Sequence, residues 1–324
     1  MSHTGLVWEP RCLLHEPGAG HPERPERLEA IRRGLEAAGL WQRCLPLRAR
    51  PATELELSRC HTPGYLAVVK ADIAAGRAEL STGDTAISAH SEEAARLAAG
   101  GALVAVEAVL AGTVGQAFVA VRPPGHHASS DQGMGFCIYN TVALAARHAQ
   151  ALGGGERVLI VDWDVHHGNG TQAIFWRDPS VLFFSVHQSP LYPGGGGPGE
   201  RGAGPGEGFT INCPLPAGSG GREVLAALRA QLPAAAAAFR PSLVLISAGF
   251  DGMTGDPLAD FQLTARDIAD LTGLVKGLAE RHAGGRLVSV LEGGYRLDNL
   301  ASGVAAHVGA LLGAGAGDRG TTHG

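Results

Sequence analysis

The sequence predicts an α/β protein with a doubly wound, largely parallel sheet. Three observations predict it. Short apolar runs without polar alternation recur along the chain, as strands buried on both faces do. Segments of helical periodicity separate them. Each run is followed at once by polar or glycine-rich residues, where open α/β sheets bind their ligands.

The elements follow in chain order. Pro25 opens a helical pattern with Leu28, Ile31 and Leu35 on one face, ended by Gly39. A second runs over 63–76, and a third starts near Ser91, with Glu92 and Glu93 in its first turn, and stops by Gly112. The first buried strand is expected over 117–121. A helical pattern over 140–152 leads to strands over 158–161 and 181–186, and the glycine-rich 194–208 reads as a loop. A pattern over 223–239 is interrupted by Pro233 and precedes a strand over 243–246. Helical 264–282, a strand over 287–291 and helical 298–312 complete the chain, with 314–324 expected as a frayed tail.

Composition narrows the function. Lys and Arg number 26 against 31 Asp and Glu, a net −5, which excludes a broad basic face for nucleic acid or anionic membrane. An apolar fraction of 45% suits a packed core and excludes a disordered chain. The first ten residues carry no apolar leader, and 300–317 is too weakly apolar to span a bilayer. Cys12, Cys44, Cys60, Cys137 and Cys213 are scattered, odd in number and without a C-x-x-C pair. Reduced thiols in a cytoplasmic protein are expected.

The chemistry gathers at the ends of the predicted strands. Arg122-Pro-Pro-Gly-His126-His127 follows the first, and Asp162-Trp-Asp164-Val-His166-His167-Gly-Asn169-Gly the second. His187 ends the third, Ser247-Ala-Gly-Phe-Asp251 follows the fourth, and Glu292-Gly-Gly-Tyr295 the fifth. Asp162, Asp164 and His166 are spaced by two, so an extended strand end points them to one side. Asp164 and His166 can clamp one ion, with Asp251 as third ligand; three O and N ligands leave coordination positions open for catalysis. Burying so many acids and imidazoles without a metal would be costly. His126 and His127 beside that ion suit acid–base work, and Tyr295 suits an oxyanion donor. The remaining histidines read as surface or local structure, His21 being the least clear-cut.

These motifs, with His21-Pro-Glu-Arg-Pro-Glu-Arg27, Gly135-Phe-Cys137 and Thr171-Gln172, resemble the histone deacetylase, acetylpolyamine amidohydrolase and acetoin utilisation superfamily, closest to its class II-like bacterial branch. The resemblance implies a single catalytic domain over 1–313, three layers α/β/α around a mostly parallel eight-stranded sheet. It implies one catalytic zinc on Asp164, His166 and Asp251. His127 would be base and then acid, His126 its electrostatic partner, with Asp162 bonded to His126 and Asn169 to His127. Structural potassium would lie on Asp162, Asp164, His166, Ser185 and Val186, and a second on carbonyls of Phe175, Asp178, Val181 and Phe209. Gly135, Phe136, Tyr192 and Leu258 would line the acyl-lysine tunnel.

The implied reaction is zinc-dependent removal of acetyl or acyl groups from amines, releasing acetate. Acetyl-lysine in peptides or proteins is the expected substrate, because Gly255-Asp256-Pro257 is followed by Leu258 and not by an acid that would read a polyamine's second ammonium. Acetylpolyamines or small N-acetyl amines are the alternative, with Glu92 and Glu93 expected near the rim. A binuclear arginase-like site would need further carboxylates where Gly168 and Met253 stand. An inactive acetyl-amine binding module would fit a chain that had lost Tyr295 or a zinc ligand, and this one has not. Neither nucleic acid nor membrane is an expected partner, and a homo-oligomer is compatible with the sequence.

Overall fold

The computed structural model describes residues 3–313. The expected tail, 314–324, lies outside the described residues. Among them eight strands form one sheet: β1 Thr4–Trp8, β2 Leu45–Leu47, β3 Gln116–Ala120, β4 Val158–Asp162, β5 Val181–Gln188, β6 Thr210–Leu215, β7 Leu243–Ala248 and β8 Leu287–Leu291. The order across the sheet is β2-β1-β3-β8-β7-β4-β5-β6, and every pairing is parallel.

All residues of β3, β4, β5, β7 and β8 are buried, so both sheet faces are covered. Nine α-helices supply the cover among the described residues: α1 Glu26–Ala37, α2 Glu54–Leu57, α3 Pro63–Ala74, α4 Ser91–Leu110, α5 Thr141–Ala151, α6 Asn169–Phe175, α7 Gly221–Phe239, α8 Ala265–His282 and α9 Leu297–Leu311. They fall into two packed rows. One is α1, α9, α8 and α7; the other joins α4 to α3 and α5, and α5 to α2 and α6.

Local chemistry sets their starts. Thr62 and Thr264 accept the first free N–H groups of α3 and α8, and Asn140 does so for α5. Helix α7 runs unbroken through Pro233, so the expected interruption is absent. A proline in a helix loses one hydrogen bond and crowds one turn, and packing of Leu228, Leu232 and Ala236 in the core outweighs that.

The sheet order explains the site. Strands β3, β8, β7, β4 and β5 are consecutive neighbours and all parallel, so their carboxyl ends lie side by side on one edge. The segments that follow those ends carry the His, Asp and Tyr residues singled out above.

Candidate active site

The segment after β4 and the turn after β7 bring Asp164, His166 and Asp251 together. All three are buried, and one ligand atom from each lies within 4.8 Å of the others. Among the described residues they are the one such group of His, Cys, Asp or Glu side chains. His166 Nδ1 stands 3.1 Å from Asp164 Oδ1 and 3.2 Å from Asp251 Oδ2. Main-chain N–H groups hold the carboxylates: Gly293 donates to Asp164 Oδ2 at 2.8 Å and Val165 to Asp251 Oδ1 at 3.0 Å. A side chain at Gly293 would collide with both carboxylates, so the chain passes close only because glycine stands there. No Lys or Arg pairs with Asp164 or Asp251 among the described residues. Burial and the charge of Asp164 push the Asp251 carboxyl up. Two buried acids short of a cation fit a divalent ion.

The segment after β3 sets two imidazoles beside this group. The rings of His126 and His127 lie 4.0 Å apart, and that of His127 is 6.0 Å from His166. Their environments differ. His126 Nδ1 donates to Asp162 Oδ2 at 3.0 Å; burial works against its charge, but Asp162 and Asp164 outweigh burial and raise it to about 10. His127 Nδ1 donates to the neutral Asn169 Oδ1 at 2.8 Å. Burial, then the charge of His126, pushes His127 well below its ordinary value. One imidazole is therefore held charged and its neighbour neutral.

Glu292, at the end of β8, clamps that segment. Its Oε2 accepts Gly125 N–H at 2.7 Å and His126 N–H at 3.1 Å, and burial pushes the carboxyl up to about 7. Cys137 Sγ accepts His127 N–H at 3.4 Å. Tyr295 follows on the same turn as Glu292. Burial, with Asp251 nearby, pushes its phenol well above the usual range, so the hydroxyl stays a donor. Arg27 lies 5.1 Å over its ring and donates to the Gly294 carbonyl at 2.7 Å.

A pocket of about 230 Å³ opens onto these groups, lined by His127, Gly135, Phe136, His166, Leu191, Tyr192, Leu258, Tyr295 and Asp84. Phe136 has a positive φ of 67°, uncommon outside glycine, directly after Gly135 at 55°. This tight turn sets the Phe136 ring 5.8 Å from Tyr295, with His21 edge-on at 4.6 Å. Tyr192 stands 5.3 Å from His127, perpendicular to it. Its hydroxyl donates to Asp84 Oδ2 at 3.0 Å, and Asp84 Oδ1 also accepts Gly135 N–H at 2.8 Å.

Asp84 is the acid at this pocket, and sequence reasoning missed it: a single exposed loop acid carries no periodicity or motif. Glu92 and Glu93, expected near the rim, do not line the pocket. They sit in the first turn of α4, where Glu92 pairs with Arg96 at 2.9 Å and Glu93 faces Arg11 at 3.9 Å. Glu292 had a readable signal, an acid directly after an all-apolar run, which demands buried partners.

The residues assigned to potassium fall in two places. Asp162 and Ser185 are register partners in β4 and β5, and Ser185 Oγ bonds His187 Nδ1 at 2.9 Å. Phe175, Asp178 and Val181 lie between the end of α6 and the start of β5, and the Phe209 carbonyl accepts Phe183 N–H at 2.9 Å.

Residues 21–311 match the histone deacetylase domain. The chain belongs to the histone deacetylase family. Members of this family are zinc-dependent hydrolases. This histone deacetylase-family chain is 44% identical over 310 residues to a histone deacetylase-like amidohydrolase of Pseudomonas aeruginosa, covering 90% of this chain and 81% of that one. It is 44% identical over 327 residues to the human polyamine deacetylase HDAC10, covering 97% of this chain but 47% of that longer protein. The crystal structure of the HDA15 HD domain superposes with a TM-score of 0.91 at 41% identity, covering 97% of this chain and 90% of that one. The eight-stranded parallel α/β fold is thus the fold of this family. No helix of the described residues is long and apolar enough to cross a membrane.

Proposed function

We propose that this deacetylase removes acetyl groups from lysine side chains in peptides or proteins, with one zinc ion on Asp164, His166 and Asp251. The observation that carries the substrate is the pocket wall. Phe136, Tyr192, Leu191 and Leu258 are apolar or aromatic, and the acid at the pocket, Asp84, is exposed and shared with Tyr192. Such walls suit a long apolar stem ending in a neutral amide.

Zinc bound there supplies Lewis acidity to the amide carbonyl and acidifies water. The chain's own residues do the rest. Phe136 and Tyr192 hold the stem and exclude solvent. His127, neutral and anchored through Nδ1, has Nε2 free to take the proton as water oxygen bonds to the carbonyl carbon. Tyr295 donates its hydroxyl to the oxygen on which charge develops. His127 then returns the proton to the leaving nitrogen as the C–N bond breaks, giving acetate and a free amine. The charge on His126, fixed by Asp162, favours the developing anion and keeps His127 neutral at rest.

The same reading includes structural potassium on Asp162, Asp164, His166, Ser185 and Val186, and on Phe175, Asp178, Val181 and Phe209. It also includes a cytoplasmic location, supported by five free, buried cysteines. A deacylation screen over acetyl-lysine peptides, acetylpolyamines and small N-acetyl amines tests the substrate: the peptides should give the highest kcat/KM. A preference for acetylpolyamines overturns the lysine assignment.

A further inference from the structure

Asp256 accepts three main-chain N–H groups from two separate turns. Its Oδ2 takes Tyr295 at 2.8 Å and Arg296 at 3.3 Å, and its Oδ1 takes Leu258 at 3.1 Å. The residue is 6% exposed. Tyr295 and Leu258 both line the pocket, one as hydroxyl donor and the other as wall.

Sheet-side bonds reach the first turn only as far as Glu292 and Gly293, whose N–H and carbonyl meet Ala248 and Phe250 at 3.0 and 3.1 Å. Tyr295 comes after the end of β8 and before α9, behind Gly293 and Gly294, and Gly294 has a φ of 124° open to glycine alone. Arg296, the residue that opens α9, makes no side-chain cap. Without Asp256 the N–H of buried Tyr295 would lose its partner away from water. The Leu258 turn belongs to a separate segment, between β7 and α8.

We infer that Asp256 is a positioning residue that ties the Tyr295 turn to the Leu258 turn, fixing the phenol hydroxyl against the substrate wall. It touches neither substrate nor metal ligand and acts through Tyr295. The inference rests on Tyr295 being the oxyanion donor. A carboxylate is required because each of its oxygens faces N–H donors. An asparagine of the same shape turns an NH₂ toward one of the two turns and releases it.

The test is a double-mutant cycle in the zinc-loaded enzyme, read as kcat and KM on an acetyl-lysine peptide, with zinc content measured on each variant. Asp256→Asn should lower kcat on the order of 10- to 100-fold, with KM shifting only a few-fold and zinc retained. In the Tyr295→Phe background the same change should cost less than about 3-fold, because the hydroxyl it positions is gone. Asp256→Ser, too short to reach both turns, should show the same non-additivity, with the folding of each variant checked by its thermal melt. Losses that multiply in the cycle, or an unaltered kcat in both Asp256 variants, overturn the inference while leaving Tyr295 in place. Near-normal turnover of Tyr295→Phe alone would instead remove the tyrosine from the chemistry, and this role of Asp256 with it.

Discussion

Asn169 Oδ1 accepts the Nδ1–H of His127 at 2.8 Å. The amide oxygen can only accept, so Nδ1 carries the proton and Nε2 is left as the basic atom. The partner is neutral, which leaves burial and the charge of His126 free to hold His127 well below its ordinary value.

Asn169→Asp should change that. A carboxylate at Nδ1 favours the charged imidazole and raises the His127 pKa. Activity needs the neutral form and is lost as pH falls through that pKa. The acid limb of the kcat/KM profile should therefore move to higher pH, by about 1 unit or more. An acid limb that stays where it was would mean that His127 does not set it.

Leu258→Glu should redirect the substrate. Leu258 lines the pocket beside Tyr295, and an acid there gives a polyamine's distal ammonium a Coulomb partner. The ratio of kcat/KM for acetylspermidine over an acetyl-lysine peptide should rise on the order of 10-fold, and the gain should shrink with salt. A wild-type enzyme that already prefers acetylspermidine by a wide margin would point to Asp84 as the acid reading the cation.

Stability should fall on acidification through two core histidines. His307 bonds Thr272 Oγ1 at 2.7 Å and Ser289 Oγ at 2.8 Å, and burial pushes it down to about 3. Burial pushes His61 down to about 4. Below the unfolded value of 6.5 the unfolded chain binds protons that the folded chain refuses. Each histidine then costs about 1.4 kcal/mol per pH unit until its folded value is reached. His307→Leu should be less stable at pH 7 yet lose stability less steeply below 6.5, by about one proton, as followed by urea unfolding at several pH values. Equal slopes in the two proteins would show that His307 does not titrate in this way.

The sequence made the centre of this fold legible and left its edges obscure, for a physical reason. Strands β3, β4, β5, β7 and β8 are buried on both faces and read as plain apolar runs. Strand β1 contains Gly5, β2 is Leu-Pro-Leu with exposed Leu45, and β6 mixes Asn212 and Pro214 into its run. Strands β2 and β6 are the edges of the sheet, where burial does not write the pattern, while buried β1 offers only a short apolar run beside its glycine. The candidate site was legible because the parallel sheet places its polar residues directly after the apolar runs. Asp84, on an exposed loop, and Asp256, whose partners are main-chain atoms, leave no such trace.

Asp164, His166 and Asp251 are proposed to make this chain a one-metal amide hydrolase. The most direct test of this is zinc titration of the metal-free protein, followed by acetate release from an acetyl-lysine peptide. Activity should return and saturate near one equivalent of zinc per chain, and Asp164→Ala should not regain it. Saturation at two equivalents, or full activity in Asp164→Ala, would contradict it.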